Sequence, residues 1–338
     1  MDTASFINRR RFLLGTASTC AALGVGASLL RRSPSARWHP ASRTSQALGS
    51  AVTISVWHHD APAAEAALDA AFAELELVES VMSLYRPDSQ VSRLNRDAEL
   101  NDPHPHLMTV LTFAAQVAAQ TDGAFDVTVQ PLWQLYRSAQ ASGHLPEASA
   151  VLLAQRCVDW QRVNLKADRI RLSGTGTAIT LNGIAQGFAA DTAMAALRRA
   201  GVAHALIDTG ELLAFGGKPE GEAWRVGIQH PRQLDAFVAL AQLQDRCLAT
   251  SGDYETCFSA DFVHHHLFDP RTGYSPTELS SVSIAAPTAM AADAISTAVF
   301  VLGAERGMEL LRRLRGTDAF IVLKDGRSMA TAGFPVAA

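Results

Sequence analysis

The chain has 338 residues, of which 48% are hydrophobic and 18% are charged, which is enough for one large domain or two small ones. Residues 1–37 carry six arginines against one aspartate, a balance of +5, so the formal net charge of −4 leaves −9 for the remainder. So acidic a remainder argues against nucleic-acid binding through a basic surface.

The N-terminus has the pattern of an export signal. Residues 8–14 (NRRRFLL) match the twin-arginine motif, a moderately apolar stretch runs to Leu30, and a segment rich in Ser, Pro and Ala follows. We interpret residues 1–45 as a signal peptide and spacer, recognised by the twin-arginine translocase, which places the mature protein in the periplasm. An uncleaved membrane helix is the alternative interpretation.

The hydrophobic pattern of the first half predicts two long helices. A strand is predicted at 50–57, a helix at 62–82, a turn at 91–95, a second helix at 106–121 and a loop at 122–126. No composition shift marks a linker after residue 46. Residues 46–338 are therefore predicted to form one unit, with a lobe inserted around 83–160.

Short strands dominate the second half. Strands are predicted at 162–166, 169–172, 178–181, 204–209, 224–229, 237–243, 247–251, 264–268, 280–285, 319–323 and 329–331. Helices are predicted from the glycine-bearing turn at 182–187 to near Gly201, and at 289–302 and 305–314. Because strands and helices do not alternate strictly, the prediction is an α+β fold with mostly antiparallel sheets and flanking helices.

A carboxylate and a hydroxyl share one face of the helix predicted at 289–302. Asp293 and Thr297 are four residues apart, so they point the same way. With one backbone carbonyl they would give Mg²⁺ a half-shell of oxygen ligands, which the ion completes with water and substrate phosphates. The alternative is a solvated Asp293 whose carbonyl accepts a bond from the Thr297 hydroxyl.

Three histidines precede a tight turn at residues 269–273 (DPRTG). On a strand, His264 and His266 would share one face and His265 the other. His266 lies nearest the turn, where a strand end often presents functional groups, so it is the candidate general base. A transition-metal site and plain exposed histidines are the alternatives.

Several other site classes lack their motifs. The chain has no G-x-G-x-x-G before a helix, no G-x-x-x-x-G-K-[ST] and no G-x-S-x-G, which argues against a Rossmann site, a P-loop and an α/β-hydrolase. Cys157, Cys247 and Cys257 follow the signal segment without a C-x-x-C pair. They allow one bridge at most, Cys247–Cys257, or three unreactive thiols.

Six motifs in order resemble the ApbE family of FAD:protein FMN transferases, over roughly residues 48–335. They are MSLYRPDSQVSRLN at 82–95, DGAFDVTVQPL at 122–132, GIAQGFAAD at 183–191, ATSGDY at 249–254, HLFDPRTG at 266–273 and DAIST at 293–297. Each is modest alone, but their order and spacing together are specific. The resemblance implies a single large ApbE-like domain.

The resemblance also implies a reaction. A Thr or Ser hydroxyl of an acceptor flavoprotein attacks FAD at the FMN phosphorus, and AMP leaves, with Mg²⁺ neutralising the phosphate charge. It places the metal on Asp293, Thr297 and the Gly183 carbonyl, and His266 at the attacking hydroxyl. The residues it places in contact with FAD are Leu48, Tyr85, Ala124, Phe125, Asp126, Thr180, Gln186 and Phe268.

The chain departs from the family pattern at several positions. Thr180 stands where Asp is usual, Gln186 where Lys is frequent, Leu48 where Met is usual, and residues 208–211 (DTGE) replace N-x-G-G. We expect a lost charge beside the flavin to change FAD affinity without abolishing it. With the twin-arginine motif, these changes resemble the exported NosX-like branch associated with nitrous oxide respiration, whose expected acceptor is a membrane-bound flavoprotein.

Two further hypotheses remain beside the transferase. One is a non-catalytic FAD-binding protein that serves assembly or electron transfer, which the changes at Thr180 and Gln186 favour. The other is a metal-dependent FAD pyrophosphatase that uses the same ligands with water as the nucleophile. The retained Asp293, Thr297 and His266 favour an enzyme over the carrier.

Overall fold

The computed structural model describes residues 38–337. The strands are β1 (His39–Ala47), β2 (Ser50–His58), β3 (Glu99–Asn101), β4 (Val163–Lys166), β5 (Arg169–Leu172), β6 (His204–Asp208), β7 (Leu212–Phe215), β8 (Trp224–His230), β9 (Gln233–Leu243), β10 (Cys247–Gly252), β11 (Leu279–Ala286), β12 (Asp318–Leu323) and β13 (Ser328–Ala330). The helices are α1 (Ala61–Met82), α2 (Gln90–Asp97), α3 (Pro105–Gln120), α4 (Gln130–Ala141), α5 (Ala148–Gln155), α6 (Ala185–Arg199), α7 (Ala289–Leu302) and α8 (Ala304–Arg313).

The main sheet has eight strands in the order β1-β2-β6-β7-β10-β11-β12-β13, and every neighbouring pair is antiparallel. A three-stranded sheet (β3-β5-β4) and the β8–β9 hairpin complete the described strands. Sequential strands mostly pair with each other or with a near neighbour, as short connections require. The prediction of an α+β fold with largely antiparallel sheets is confirmed.

Helix α6 packs against both α1 and α7, and all three helices contact strands of the main sheet. Helix α1 begins at Asp60, whose carboxylate accepts the Ala63 N–H at 3.2 Å, and it buries one apolar face. Helices α6 and α7 approach most closely at Gly187, where an added Cβ would lie 2.3 Å from the Ala289 carbonyl oxygen. Only glycine fits at that crossing.

The inserted lobe has its own small core. Helices α4 and α5 pack together, and Leu132, Tyr136, Val151 and Phe268 form one buried cluster between them and the turn after the histidines. The sequence analysis predicted a lobe around residues 83–160 and a helix at 106–121 within it, but not helices α4 and α5. The turn at 269–273 packs against these helices, and Gln155 Nε2 donates to the Pro270 carbonyl at 3.0 Å.

The strand predicted at 264–268 does not form; the only pairing there is an isolated bridge between Cys257 and His265. The backbone N–H groups go to three different partners. His264 donates to Ser259 Oγ, His265 donates to Ser275 Oγ and His266 donates to the Thr256 carbonyl. The alternation of side chains along the sequence could not reveal the missing strand, because a β-ladder needs one continuous neighbouring strand.

The segment predicted as a strand at 178–181 is also irregular. The side-chain amide of Asn95 takes the place of a strand neighbour: it accepts the Ile179 N–H at 2.7 Å and donates to the Ile179 carbonyl at 2.8 Å. Thr180 N–H donates to the Val127 carbonyl. The polar backbone groups are thus satisfied without a sheet.

Two other expectations are corrected near the chain's beginning. The turn predicted at 91–95 lies within helix α2, which Ser89 caps by accepting the Ser92 N–H at 3.0 Å. Strand β1 was not predicted, because its residues are mostly exposed and polar and were assigned to the spacer. It begins before residue 46 and pairs with β2 along its whole length.

The three cysteines in the described part of the chain are free thiols, so the Cys247–Cys257 bridge is not formed. Cys247 is buried, and burial raises the pKa of its thiol far above the ordinary value. Among the described helices, none combines the length and the apolar character needed to span a membrane.

Candidate functional site

The first turn of α7 is held by side chains from two other segments. Thr288 caps the helix through its hydroxyl, which accepts the Ala291 N–H at 3.3 Å. The Asp191 carboxylate on α6 accepts the N–H groups of Ala289 and Met290, each at 2.9 Å. A carboxylate at a helix N-terminus satisfies free N–H groups and favours the helix dipole. Helix α7 is therefore fixed against α6 at its start.

One turn further on, the Asp293 side chain is 4% exposed. Its Oδ2 accepts the Gly187 N–H at 3.1 Å. Burial, together with the nearby Asp191 carboxylate, raises the pKa of Asp293 to about 7. Within residues 38–337, no lysine, arginine or histidine forms an ion pair with Asp293. The carboxylate is therefore buried without a cation, contrary to the alternative in which Asp293 is solvated.

The hydroxyl of Thr297 faces Gly183. A Cβ added to Gly183 would lie 3.0 Å from Thr297 Oγ1, so the glycine backbone closely approaches the hydroxyl. Thr297 Oγ1 is also 3.2 Å from Ser251 Oγ. The bond to the Asp293 carbonyl comes from Ser296 at 2.8 Å, so the alternative that assigned it to Thr297 is not what the structure shows. The Thr297 hydroxyl faces the glycine turn instead.

The groups around Asp293 fit a magnesium ion better than a transition metal. Between residues 38 and 337, no three His, Cys, Asp or Glu side chains group closely enough to hold a metal ion, which leaves the transition-metal interpretation of the histidines without support. One carboxylate, one hydroxyl and one glycine carbonyl are hard oxygen donors, and Mg²⁺ takes few of these from protein. A bound divalent ion would also neutralise the buried Asp293 carboxylate, which has no cationic partner among the described residues.

The histidines lie in a loop against α7. His265 is fully buried, its Nε2–H donates to the Pro276 carbonyl at 3.0 Å, and its ring meets Phe300 edge to face at 5.4 Å. Burial lowers the pKa of His265 to about 4, so the ring is neutral at physiological pH. His266 is only partly buried. His265 therefore anchors the loop, and His266 is the histidine that can act on a substrate.

The loop at 122–126 meets the same glycine turn. Phe125 Cε2 lies 3.7 Å from the position of a Cβ on Gly183, and both Ala124 and Phe125 are buried. Asp126 accepts the N–H and hydroxyl of Thr128 and the N–H of Trp160. Burial raises the pKa of Asp126 to about 6. Its carboxylate therefore holds the loop together from within.

The profile of the ApbE family matches residues 48–321 of the chain. The chain belongs to the ApbE family.

Relatives in other bacteria support the same family. A Treponema pallidum protein named FAD:protein FMN transferase is 33% identical over 337 residues, which cover 93% of this chain and 92% of the relative. A Salmonella typhimurium protein of the same name is 30% identical over 273 residues, covering 76% of this chain and 77% of the relative.

Solved ApbE structures share the fold. The apo form of the Pseudomonas stutzeri flavinyl transferase ApbE superimposes with a TM-score of 0.76 at 30% identity, covering 87% of this chain and 95% of that one. The Thermotoga maritima ApbE protein gives a TM-score of 0.79 at 27% identity, covering 88% and 97%. The predicted fold is confirmed.

Two departures from the ApbE pattern have local partners. The Thr180 hydroxyl accepts the Asn182 N–H at 3.2 Å, which shapes the turn before Gly183. Gln186 Nε2 donates to the Thr209 carbonyl at 3.2 Å, and the Thr209 hydroxyl donates back to the Gln186 carbonyl at 3.3 Å. Gln186 therefore ties α6 to the segment that follows β6, where this chain also departs from the family.

Three residues predicted to contact FAD are not bonded to the side chains around Asp293. Leu48 sits in the β1–β2 turn, with φ +55°, and its N–H donates to Glu79. Tyr85 is 74% exposed and is free to stack on a ligand. Phe268 is 3% exposed and packs in the lobe cluster. Within residues 38–337, none of these three residues forms a hydrogen bond with Asp293 or Thr297.

Two ApbE site residues were not among the predicted ones. Asp191 and Ser251 each stand in one of the six motifs but were given no role. Asp191 holds the start of α7 and Ser251 contacts Thr297. Their positions inside family motifs were the available signal, but their partners lie about 100 and 46 residues away along the chain, beyond the reach of sequence spacing.

Proposed function

We propose that this ApbE protein transfers FMN from FAD to a Thr or Ser hydroxyl of an acceptor flavoprotein and releases AMP, with Mg²⁺ at Asp293. The observation that carries the proposal is the buried Asp293 carboxylate, without a cation partner in residues 38–337, beside Thr297 and the glycine turn. It belongs to a chain whose relatives are named FAD:protein FMN transferases.

In this proposal Asp293, the Thr297 hydroxyl and the Gly183 carbonyl would hold the metal. When bound, Mg²⁺ would neutralise charge on the FAD pyrophosphate and so favour phosphoryl transfer. The chain's own part is to keep these groups fixed in a dry setting. Asp191 holds the start of α7, Gly187 orients the Asp293 carboxylate, and Ser251 orients the Thr297 hydroxyl.

The proposed reaction balances without a further reactant. The acceptor hydroxyl oxygen forms a bond to the FMN phosphorus, and the bond between that phosphorus and the bridging oxygen breaks. AMP leaves with that oxygen. His266, which is only partly buried, accepts the proton of the hydroxyl as the general base. The buried His265 holds no such role, because its Nε2 is engaged with Pro276.

FAD recognition is assigned to groups from several segments. Exposed Tyr85 offers a ring for stacking, and the Ala124–Asp126 backbone together with Thr180 and Gln186 surrounds the glycine turn. Leu48 and Phe268 are proposed to contribute apolar contacts. Because Thr180 and Gln186 bring no charge, we expect the flavin to be bound through shape and neutral hydrogen bonds at these two positions.

The acceptor is proposed to be exported or membrane-bound. Residues 1–37 lie outside the described residues, but residues 8–14 carry the twin-arginine motif, which supports passage through the twin-arginine translocase to the periplasm. The resemblance to the NosX-like branch further supports an acceptor in the electron supply to nitrous oxide respiration. No nucleic acid is involved in the proposed activity.

The test is a flavin transfer assay. Residues 38–338 are incubated with FAD, Mg²⁺ and an acceptor domain that another ApbE transferase modifies. We expect a fluorescent acceptor band and one AMP per flavin, both lost with EDTA. Asp293→Asn should lower the rate about 100-fold, since several kcal/mol of charge stabilisation are removed, while Asp235→Asn on the exposed hairpin should not.

The other outcomes separate the alternatives. FAD binding with neither a band nor AMP would favour the non-catalytic carrier. AMP and free FMN without a labelled acceptor would favour the pyrophosphatase. Wild-type transfer by Asp293→Asn would contradict the metal assignment. An unchanged rate for His266→Ala would contradict its role as the base.

A further inference from the structure

We propose that Arg232, Asp253 and Lys324 are positioning residues that fix the loop carrying His266. The loop comprises residues 254–266 and is called here the histidine loop. The inference rests on the proposed function, because that function gives His266 its role. None of the three side chains belongs to the predicted site, and each comes from a different part of the main fold.

Asp253 is the centre of this cluster. It follows β10 and is fully buried. Arg232, in the β8–β9 turn, binds it with both Nη atoms at 2.7 Å. Lys324, which follows β12, places its Nζ 2.6 Å from the same carboxylate. Bidentate charged bonds are strong and directional, so the cluster joins three distant segments at one point.

Both cations also reach the histidine loop at Phe262. The Arg232 guanidinium lies over the Phe262 ring, 4.1 Å from its centroid. Lys324 Nζ donates to the Phe262 carbonyl. Phe262 has φ +59°, a left-handed conformation that a bulky side chain rarely adopts. Such a conformation persists only where the surroundings impose it, and here the two cations hold the ring and the carbonyl.

The conformation at Phe262 determines where His266 lies. Phe262 closes the tip of the loop, where its N–H donates to the Ser259 carbonyl. The two arms then pair, because Phe258 N–H donates to the His264 carbonyl and His266 N–H donates to the Thr256 carbonyl. A change at the tip would shift the register of these bonds. The cluster thus acts on His266 through the backbone rather than by touching a substrate.

A salt bridge that only stabilised the fold would not single out His266. Here one end of the cluster is attached to β10 and β12, and the other end is attached to the tip of the loop. The base of the loop is anchored separately by His265 against Pro276 and Phe300. The loop is therefore fixed at its tip, Phe262, and at His265, the residue before His266, which pre-organises the His266 imidazole.

The experiment is a double-mutant cycle with Lys324→Met and His266→Ala in the full-length protein. Lys324→Met keeps the apolar stem and removes the ammonium. We expect kcat for AMP release to fall about tenfold with KM for FAD within about twofold, as for a misplaced catalytic group. The double variant should be no slower than His266→Ala alone, because Lys324 acts through His266. Lys166→Met, on exposed β4, is the matched control and should resemble wild type.

A second readout does not depend on activity. In Lys324→Met, amide hydrogens of residues 254–266 should exchange at least tenfold faster, and the His266 imidazole NMR signal should shift or broaden, while exchange in β10 and β11 stays unchanged. Additive losses in the cycle, or an unaltered His266 signal and loop exchange, would overturn the proposal. If Lys324→Met does not fold, Arg232→Lys is taken through the same measurements; it loses the bidentate bond and the stacking.

The two proposals can fail independently. A wild-type rate for His266→Ala would contradict the catalytic role of His266 and leave the loop measurements to decide whether the cluster positions it. Loss of transfer in His266→Ala, together with unchanged loop exchange in Lys324→Met, would leave the proposed function intact and reject the positioning role.

Discussion

At the scale of single residues, burial moves several pKa values in the direction that keeps the side chain neutral. The pKa of His265 falls to about 4, and those of Asp126 and Asp293 rise to about 6 and about 7. The His265 shift stabilises the fold at neutral pH, whereas both carboxylates destabilise it once they ionise. Stability below pH 7 therefore reflects opposing contributions, and only a variant can isolate one of them.

The contribution of His265 should vanish in mild acid. Its pKa is lowered from 6.5 to about 4 in the folded chain, so the unfolded chain binds the extra proton between these values. The stabilisation is complete above pH 6.5 and is lost as the pH falls towards 4. Unfolding by urea should show the difference between wild type and His265→Phe shrinking by about 2 kcal/mol between pH 7.5 and pH 5.

The control for this measurement is His144→Phe, which alters an exposed histidine in the lobe. Its difference from wild type should be the same at both pH values. A pH-independent difference for His265→Phe would show that the ring is not held neutral by burial.

At the scale of elements, α7 is the part of the site that the sequence predicts best. Its bounds were predicted at 289–302 and are observed at Ala289–Leu302, because a capping threonine precedes an apolar run and Gly303 ends it. The shared face of Asp293 and Thr297 followed from helical spacing. Helical spacing could not supply the third side of the site: Gly183 was placed there only by the family resemblance, and the contact of Ser251 with Thr297 is a tertiary one.

The start of α7 depends on Asp191. Asp191→Ala removes the acceptor of two N–H groups and should lower the free energy of unfolding by about 1–2 kcal/mol. Because the helix also carries Asp293 and Thr297, Mg²⁺ affinity should fall about tenfold. Urea unfolding and Mn²⁺ titration followed by electron paramagnetic resonance, both without FAD, measure the two effects.

Asp60→Ala is the matched control, because Asp60 caps α1, a helix that carries no proposed metal ligand. It should lower stability to a similar extent with unchanged Mn²⁺ affinity. Equal Mn²⁺ affinity in both variants would refute a link between the α7 cap and the metal site.

Two irregular segments account for the predicted strands that do not form. Residues 264–268 and residues 178–181 both have strand-like composition. Their backbone groups bond instead to side chains such as Ser259, Ser275 and Asn95. Strand propensity describes residues that suit a sheet, but it does not supply a neighbouring strand. Both irregular segments carry predicted site residues, where local rules are most often overridden.

At the scale of the whole molecule, the sequence predicts the class of fold and the order of the motifs, while the fold explains why motifs so far apart form one site. The charge cluster illustrates the limit, since Arg232, Asp253 and Lys324 show no spacing pattern and meet only because strands β8 to β12 bring their ends together. Burial of a charge is a property of the folded chain.

The export proposal makes a prediction for the complete chain. Replacing Arg9 and Arg10 with lysine should keep the protein in the cytoplasm of a host with a twin-arginine translocase, because that system recognises the arginine pair itself. Fractionation followed by immunoblotting gives the periplasmic share.

The chain offers its own control, since Arg31 and Arg32 form a second pair outside the motif. The same double replacement there should leave export unchanged. Retention of the protein in the cytoplasm by both replacements, or by neither, would be inconsistent with recognition through the motif.

The side-chain amide of Asn95, which bonds the backbone of Ile179 as a neighbouring strand would, also affects the kinetics of folding. Its two bonds join positions 84 residues apart, so the entropy of closing that long loop must be lost before either bond contributes. We therefore expect these contacts to form after the rate-limiting step of folding, which a φ-value for Asn95→Ala would measure. Their energy then slows unfolding instead of accelerating folding, and Asn95 contributes to the lifetime of the native state more than to the speed of reaching it.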